Sequence, residues 1–434
     1  MQPTIAGERK GIMESANMVL SFIRETGAEA ELIPTKGEGS PVIYGKLIGD
    51  RAKRTIVAYQ MYDTQPVIDP ELWISPPFEA RIVDDKIIAR GAINSKGPLM
   101  AELMAIRAVK EATGEMPVNI IFTFDGEEEV GSWQLRHFLR EQPERLKGAE
   151  CVWMPGVFSR HYKNTMMSLG SKGCIDFQLS IDHKRPEIHS SCAPIVENPA
   201  WRLVWALNSM KDSEGRVTIE GFYDNIIPPS EEDIELMRKL VEAGEEERLR
   251  RRFGIERFRK DLHGLELFKE YLFQPTLTIN GLSSGYVGPA AMTINPGWAR
   301  ANLDIRLVLG MDADDIWEKI GRHLKKHGFD DVEMRLTGWK ANASKSPLNT
   351  NIARAWRNAI KSAGFNDPII YPMGAGTGPY MYYTAPPLNL AAASAGSSDM
   401  PPHHAHAPNE YITTEEYITT TKMAATFLIE YGKL

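Results

Sequence analysis

Acidic residues and histidines gather in a few short stretches of this sequence. The three glutamates Glu127–Glu129 follow the apolar run "VNIIFTF" and precede a glycine, and Asp63 ends the run "TIVAYQMYD". Three more candidates, His403, His404 and His406, stand together in "HHAHAPNE". Like charges this close repel one another, so the glutamates must be held or used. Carboxylates and imidazoles are the ligands of hydrolytic metal sites, and a further carboxylate can deprotonate water.

Each stretch also has an ordinary structural explanation. Consecutive glutamates are favourable at a helix start, where they face the positive end of the helix dipole. Asp63 is suited to capping a turn, and the histidine stretch is typical of a solvated loop. His189 in "EIHSSCAP" and Asn94 in "RGAINSKGPL" are polar candidates that have little weight alone. The combination of these stretches, rather than any one of them, indicates a site.

The composition excludes several classes of function. The chain has 434 residues and a formal net charge of −7, and no basic stripe appears, so a nucleic-acid partner is not expected. It has no apolar run long enough for a membrane span and no secretory h-region at its N-terminus, so no membrane association is expected. The three cysteines, Cys151, Cys174 and Cys192, form an odd and sparse set that is typical of a reducing compartment. We therefore predict a cytoplasmic protein.

The elements that must position these residues alternate between strands and helices. Apolar residues at helical spacing predict helices over 8–27 and 97–111, and a third helix follows Gly131. Between them lie apolar strands, including "TIVAYQMYDT" and "PVNIIFTF". This order predicts an α/β fold with a mostly parallel sheet covered by helices. Sites in such sheets gather at the carboxyl ends of strands, where Asp63 and the glutamates stand.

The middle of the chain has a different pattern. Alternating strands, "KGCIDFQLSI" and "RANLDIRLVLG", flank helical runs near 198–211 and 230–250. We predict an inserted α+β domain of ferredoxin-like type at 175–338, which divides the catalytic domain into residues 1–174 and 339–434.

These stretches together resemble the superfamily of co-catalytic metallopeptidases that contains aminoacylase, carnosinase and glutamate carboxypeptidase. The resemblance covers nearly the whole chain and rests on words in one order: "YDTQPV", "ARGA…SKGPL", "GEEEVGS", "HSS…ENPAWRL", "PTLTINGLSSGYVG", "IRLV" and "HAPNE". It implies an α/β catalytic domain, an inserted lid that dimerises, and two bridged metal ions.

Five functional positions of the family are retained. The resemblance implies that Asp63 supports the site, Glu128 is the general base and Glu129 is a metal ligand. It also implies that His406 is a ligand and that His189, on the lid, reaches the substrate of the partner subunit. Glu127 is expected to point into solvent or into a hydrogen bond.

Other ligand positions of the family have changed. The first histidine is replaced by Met61, the bridging aspartate by Asn94, and a later acidic residue by approximately Gly156. A thioether, a neutral amide and a glycine hold a hard cation poorly. Two cations also need a bridging negative charge, so we predict one divalent transition metal, Zn²⁺ or Mn²⁺, held by Asn94, Glu129 and His406. His403 or His404 is a possible substitute ligand.

The substrate is less defined than the site. The arginine that binds a substrate carboxylate in many family members is replaced by Met373, so ordinary dipeptides are doubtful substrates. Tyr380, Tyr382 and Tyr383, with Trp153, suggest an aromatic pocket or wall. The predicted function is a metal-dependent hydrolase of a C–N bond in a small molecule, assembled as a homodimer or higher homo-oligomer through the lid.

Three alternatives remain open. The first is an aminohydrolase that releases ammonia from an aromatic amine. The second is a conventional two-metal peptidase with substitute ligands. The third is a non-catalytic dimeric binding protein on a peptidase scaffold, in which the carboxylates are relics.

Overall fold

Helices and strands follow one another along the chain in the predicted alternation. The structure, a computed structural model, describes residues 2–398, 400–401 and 403–434. The α-helices are α1 (Ile12–Glu25), α2 (Lys96–Thr113), α3 (Trp133–Glu141), α4 (Pro199–Met210), α5 (Glu231–Glu242), α6 (Glu245–Phe253), α7 (Gly264–Phe273), α8 (Ala313–Lys326), α9 (Asn351–Ser362), α10 (Tyr380–Thr384) and α11 (Thr414–Gly432). Within the described residues, none of these helices combines the length and apolarity that crossing a bilayer requires.

The strands form one large sheet and several smaller ones. They are β1 (Glu29–Ile33), β2 (Val42–Leu47), β3 (Thr55–Met61), β4 (Arg81–Val83), β5 (Lys86–Ile88), β6 (Asn119–Asp125), β7 (Cys151–Trp153), β8 (Thr165–Ser168), β9 (Gly170–Ser171), β10 (Gly173–Asp182), β11 (Ile188–His189), β12 (Thr276–Ser284), β13 (Ile294–Asn295), β14 (Trp298–Leu307), β15 (Glu333–Ala341), β16 (Ser344–Lys345), β17 (Ile369–Tyr371), β18 (Ala391–Ala392), β19 (Ser394–Ser397) and β20 (Tyr411–Thr413). The six-stranded sheet has the order β1-β2-β6-β3-β7-β18. Its strands from β6 to β18 are parallel, while β1 and β2 join antiparallel, which confirms the predicted mostly parallel sheet.

Helices cover both faces of this sheet because its central strands are apolar on both sides. On one face α2, α9 and α11 enclose a core that includes Ile106, Phe122, Trp356 and Phe427. On the other face α3 and α10 pack over a second core, which includes Leu135.

A four-stranded antiparallel sheet forms the centre of the lid, with the order β12-β14-β10-β15. Helices α4 and α8 pack against it, as the ferredoxin-like prediction requires. The prediction of one long helical run near 230–250 is wrong, because the structure has two helices there. Gly244, with a φ of 74°, changes the direction of the chain between α5 and α6. The domain boundaries at 174 and 338 stay a prediction.

Two neighbouring parallel strands deliver the acidic stretches to one edge of the central sheet. Strands β3 and β6 are in register so that Met61 lies opposite Asp125. Each chain therefore leaves the sheet at the same level, and the loops that follow carry Asp63 and Glu127–Glu129. The sheet topology thus brings together residues that are far apart in sequence.

Candidate metal centre and active-site cavity

Asp63 organises the loop that carries the glutamates. Its carboxylate accepts hydrogen bonds from the backbone N–H groups of Glu128 at 3.2 Å and Glu129 at 3.0 Å. The side chain is fully buried, and burial, followed by the charge of Asp125, raises its pKa well above the usual range. Asp63 is therefore placed to fix the backbone of the two glutamates.

Glu127 has a structural position. Its carboxylate accepts the backbone N–H of Ser40 at 2.8 Å and that of Gln134, at the start of α3, at 3.0 Å. The residue is buried, so it points into hydrogen bonds rather than into solvent. Of the three glutamates, this one ties the loop to its neighbours.

Glu128 and Glu129 have different surroundings. Burial, with the charges of Glu129 and Asp125, raises the pKa of Glu128 to about 8. Glu129 accepts amide hydrogen bonds on both oxygens, from Gln65 at 2.8 Å and from Asn94 at 2.7 Å. A carboxyl group with a pKa near neutrality is suited to taking up and returning a proton.

The loop that presents Asn94 is fixed by Glu410. This glutamate forms an ion pair with Arg90 at 2.7 Å, and both side chains are completely buried. It also accepts the backbone N–H groups of Gly91, Ile93 and Asn94, at 2.9–3.1 Å. Breaking such a buried pair leaves an uncompensated charge, which costs about 3–5 kcal/mol. The "PNE" segment and the "ARGAIN" segment therefore depend on each other.

Asn94 joins the two predicted metal ligands. Its amide Nδ2 lies 2.7 Å from Oε1 of Glu129 and 2.8 Å from Nε2 of His406. The ring nitrogen of His406 lies 3.6 Å from the same glutamate oxygen, and this contact with the Glu129 carboxylate is the main cause of a raised His406 pKa. The structure thus brings the predicted triad of Asn94, Glu129 and His406 into mutual contact.

The proposed substitute histidines have other partners. His403 is buried, and its Nε2 lies 2.9 Å from Oε1 of Glu416 in the first turn of α11. His404 Nδ1 is 3.1 Å from the carbonyl oxygen of Pro408. Neither contact directs an imidazole to Glu129. Among the described residues, no group of three or more His, Cys, Asp or Glu side chains is arranged to hold a metal ion.

The positions predicted to have lost their ligands are tightly packed. Met61 is buried at the end of β3. A Cβ atom added to Gly156 would lie 2.5 Å from the carbonyl oxygen of Ala395. That contact is too close for a carboxylate side chain without a backbone shift.

His189 lies on the lid, at the end of the short strand β11. Its side chain is exposed; Nδ1 lies 2.9 Å from the hydroxyl of Ser191 and Nε2 3.3 Å from that of Thr293. The described contacts of His189 are thus all within the lid.

A cavity of about 560 Å³ opens over the triad. Its walls include Glu128, Arg306, Trp339 and Thr377, together with the triad residues. Arg306, Trp339 and Thr377 were not anticipated as site residues. The one sequence signal for Arg306 was the segment "IRLV", which contains this arginine and contributed to the family resemblance.

Arg306 gives the cavity a cation that the sequence interpretation did not expect. Its Nη1 donates to the hydroxyl of Thr377 at 2.8 Å, and its Nε forms an ion pair with Oδ1 of Asp304 at 3.3 Å.

Met373, the position compared with the family arginine, is completely buried. The predicted aromatic pocket is wrong for Trp153 and Tyr383, which are buried in the cores around the central sheet.

Tyr382 stands behind the aromatic wall. Its ring stacks on Trp339, with centroids 5.8 Å apart and an interplanar angle of 15°. Tyr380, the remaining tyrosine of the group, places its hydroxyl 3.4 Å from the sulfur of Met154. Trp339 is therefore the aromatic residue that the cavity presents.

Residues 62–430 match the peptidase family M20/M25/M40, and the chain belongs to that family. The chain is thus a hydrolase of the class that acts on peptide-type C–N bonds. The Beta-Ala-His dipeptidase of Homo sapiens is 27% identical over 407 residues, which cover 91% of this chain and 78% of that protein. The Cys-Gly metallodipeptidase of Saccharomyces cerevisiae is 28% identical over 287 residues, or 65% of this chain and 59% of that protein.

Among solved structures, an M20 family metallo-carboxypeptidase from Sulfolobus solfataricus is 33% identical and superposes with a TM-score of 0.90. The match covers 100% of this chain and 97% of that one. The predicted superfamily and fold class are confirmed. Because these relatives include metallopeptidases, a divalent metal cofactor is supported, whereas the altered metal site stays a prediction.

Proposed function

We propose that this protein hydrolyses a C–N bond of a small, peptide-like molecule with one divalent cation, Zn²⁺ or Mn²⁺. The observation that supports this proposal is the contact of one Asn94 side chain with both Glu129 and His406. These three residues are the only predicted ligands that lie together in the described part of the chain.

The donor set fits a single cation. Glu129 offers a carboxylate oxygen and His406 a ring nitrogen, 3.6 Å apart. The nitrogen and oxygen of an asparagine amide are interchangeable by rotation, so Asn94 can present its carbonyl oxygen in place of its N–H. Carboxylate, imidazole and amide oxygen are ligands for Zn²⁺ or Mn²⁺. The side-chain amide of Gln65 donates a hydrogen bond to the second oxygen of Glu129 and so fixes the plane of the carboxylate.

A pair of cations does not fit. Neutral Asn94 supplies no bridging charge, and Met61 and Gly156 supply neither an imidazole nor a carboxylate ligand. At Gly156 the nearby carbonyl oxygen of Ala395 also leaves too little space for a longer side chain. Two nearby dications would therefore repel without compensation.

The protein residues divide the remaining chemistry. When bound, a divalent cation polarises the scissile carbonyl and makes water a stronger acid. Glu128, whose side chain lines the cavity beside Glu129, takes the proton from the attacking water and returns it to the leaving nitrogen. Asp63 holds the backbone of Glu128 and Glu129 in place during this transfer.

The cavity indicates the class of substrate. Its volume of about 560 Å³ suits a small molecule rather than a folded protein. Arg306 provides a cation for a substrate carboxylate, and Trp339 provides an apolar wall. Two relatives of the chain are named Beta-Ala-His dipeptidase and Cys-Gly metallodipeptidase. We therefore propose a dipeptide-like substrate with a free carboxylate. This proposal replaces the expectation, based on Met373, that no arginine binds the substrate carboxylate.

We further propose that the protein acts as a homodimer through its lid. Trp201 and Trp205 on α4 are exposed and stacked at 6.0 Å, and the edge strand β12 exposes Ile279 and Leu282. An unpaired edge strand beside exposed aromatic residues is a ready surface for self-association. Light scattering is expected to report a dimer for the wild type and a monomer for Trp205→Glu.

In this dimer the lid histidine serves the neighbouring subunit. His189 is exposed on the lid and is proposed to stabilise the oxyanion that develops on the partner's substrate. The Trp205→Glu monomer is therefore expected to lose turnover, although its Glu129 and His406 still bind the cation. A fully active monomer would exclude this arrangement.

A substrate screen with the metal-loaded protein tests the proposed reaction. It covers dipeptides, aromatic amides and aromatic amines, and ammonia release from the amines would favour an aminohydrolase instead. Both oxygens of Glu129 accept amide hydrogen bonds, so the network is satisfied without a cation. Binding without turnover throughout the screen would therefore overturn the proposal.

A further inference from the structure

A second cavity, of about 690 Å³, lies where the lid joins the catalytic domain. Helix α3, the connection at 340–345 and the segment at 381–387 form its walls. Four cationic side chains and one acidic side chain, Asp314, line it; the cations are Arg136, Arg140, Lys340 and Lys345. This local excess of positive charge contrasts with the net charge of −7 for the chain.

The two lysines are neutralised, and the two arginines are not. Lys340 pairs with Asp314, and Lys345 pairs with Asp233. Arg136 makes one long hydrogen bond, of 3.4 Å, to the carbonyl oxygen of Lys340. For Arg140, no hydrogen bond or ion pair is formed with any described residue. Each guanidinium has five N–H donors, so most of the donors here are unpaired.

The positions of the arginines favour a bound anion. They stand four residues apart on α3, so both guanidiniums project from one face of the helix, where like charges repel. A phosphate or carboxylate between them would convert this repulsion into charge-assisted, bidentate hydrogen bonds.

An independent observation points to the same cavity. Ser344 in its wall is 5% exposed, and its hydroxyl has no hydrogen-bond partner within the described part of the chain. A buried, unpaired hydroxyl is unfavourable, and a ligand oxygen would satisfy it.

From these features we infer that the cavity at the domain junction binds a small organic oxyanion, a metabolite that carries phosphate or carboxylate groups. Arg136 and Arg140 are its charged contacts. The inference does not depend on the proposed function, because it concerns a different cavity and is tested by binding alone.

One stacked pair lies between the junction cavity and the catalytic one. Tyr382 lines the junction cavity, while its stacking partner Trp339 lines the catalytic one. The Tyr382 hydroxyl donates to the carbonyl oxygen of Gly131 at 3.3 Å, just after Glu129 and just before α3.

Calorimetric titration of the full-length protein with inorganic phosphate and, separately, with citrate tests the inference at constant ionic strength. We expect saturable binding of at least one of the two probes, and the stronger probe identifies the phosphate or the carboxylate class. Arg140→Gln, an exposed change, should weaken binding by about tenfold, and Arg136→Gln/Arg140→Gln by more.

Two matched variants locate the site. Arg357→Gln removes an exposed arginine from α9 and should leave binding unchanged. Arg306→Gln should leave in place the binding that depends on Arg140, and any binding that it removes belongs to the catalytic cavity. The inference is overturned if neither probe binds saturably, if binding survives the double arginine change, or if Arg306→Gln abolishes it.

Discussion

The side-chain amide nitrogen of Asn94 lies 2.7 Å from Oε1 of Glu129. The family resemblance implies a bridging aspartate at position 94 and a metal ligand at Glu129. Here a neutral N–H group makes the contact directly and also touches His406 at 2.8 Å. The proposed chemistry depends on how this contact responds to a cation.

Asn94→Asp is expected to tighten the binding of Zn²⁺ or Mn²⁺ by about tenfold or more, because a charged ligand replaces a neutral one. Without metal the same change places two carboxylates at hydrogen-bond distance. The melting temperature should therefore fall in chelator and recover when the ion is added. Asn358→Asp, on an exposed face of α9, is the control. Equal metal affinities for Asn94→Asp and the wild type would contradict the assignment of the ligand.

Glu128→Gln is expected to lower kcat by about 10²–10⁴-fold, the usual contribution of a general base. Metal content and thermal stability should not fall, because the change removes a buried carboxyl rather than a ligand. Glu71→Gln, at an exposed position, controls for the change of charge. If Glu128→Gln turns over substrate at the wild-type rate, another residue is the base.

Arg306→Gln is expected to raise KM by about tenfold for substrates with a free carboxylate, since a hydrogen bond to a charged group contributes about 1.5–3 kcal/mol. The corresponding amides lack the charge and should be affected much less. Steady-state kinetics on such a matched pair measures the difference. An equal loss for both substrates would mean that Arg306 shapes the cavity but does not bind the carboxylate.

A buried carboxyl away from the site provides a test of pH dependence. Glu102 on α2 is fully buried, accepts one hydrogen bond from Gln60 at 2.9 Å, and has its pKa raised well above the usual range by burial. The folded protein therefore holds a proton that the unfolded chain releases above its ordinary pKa of about 4.3. Stability from this group is complete below that pH and falls as the pH rises towards the folded-state pKa.

Glu102→Gln removes this penalty because the amide does not ionise. The free energy of unfolding of Glu102→Gln should exceed that of the wild type at pH 8, and the difference should shrink towards pH 4. Between the two pKa values the difference should change by about 1.4 kcal/mol per pH unit. Urea unfolding at several pH values measures it, and a difference independent of pH would show that Glu102 does not titrate in this way.

Much of the fold could be predicted because its signals are local. The apolar runs of β3 and β6 and the helical spacing of α2 each identify an element on its own, and Asp63 and Glu127–Glu129 directly follow such strands. The break at Gly244 was missed because the flanking residues keep helical spacing. A single glycine with positive φ then decides the chain direction.

The site could be predicted less completely because its walls come from distant parts of the chain. Arg306 reaches the cavity from β14 and Trp339 from β15, two strands of the four-stranded sheet. Trp339 has no local signal, and Arg306 is marked only by the word "IRLV". The contact of His403 with Glu416 depends on the residue at which α11 begins. Sequence spacing alone does not define that residue. The Asn94–Glu129 contact depends on how two loops pack together. Glu410 fixes the loop of Asn94, and Asp63 fixes the loop of Glu129.

Elemental analysis combined with turnover tests the central claim most directly. The protein is loaded with Zn²⁺ or Mn²⁺, freed of excess ion, and assayed before and after chelation, with Glu129→Gln and His406→Ala in parallel. The single-cation account predicts one ion per chain in the wild type, loss of hydrolysis when it is removed, and far lower occupancy in both variants. Two ions per chain, or hydrolysis that persists in the metal-free protein, would contradict it.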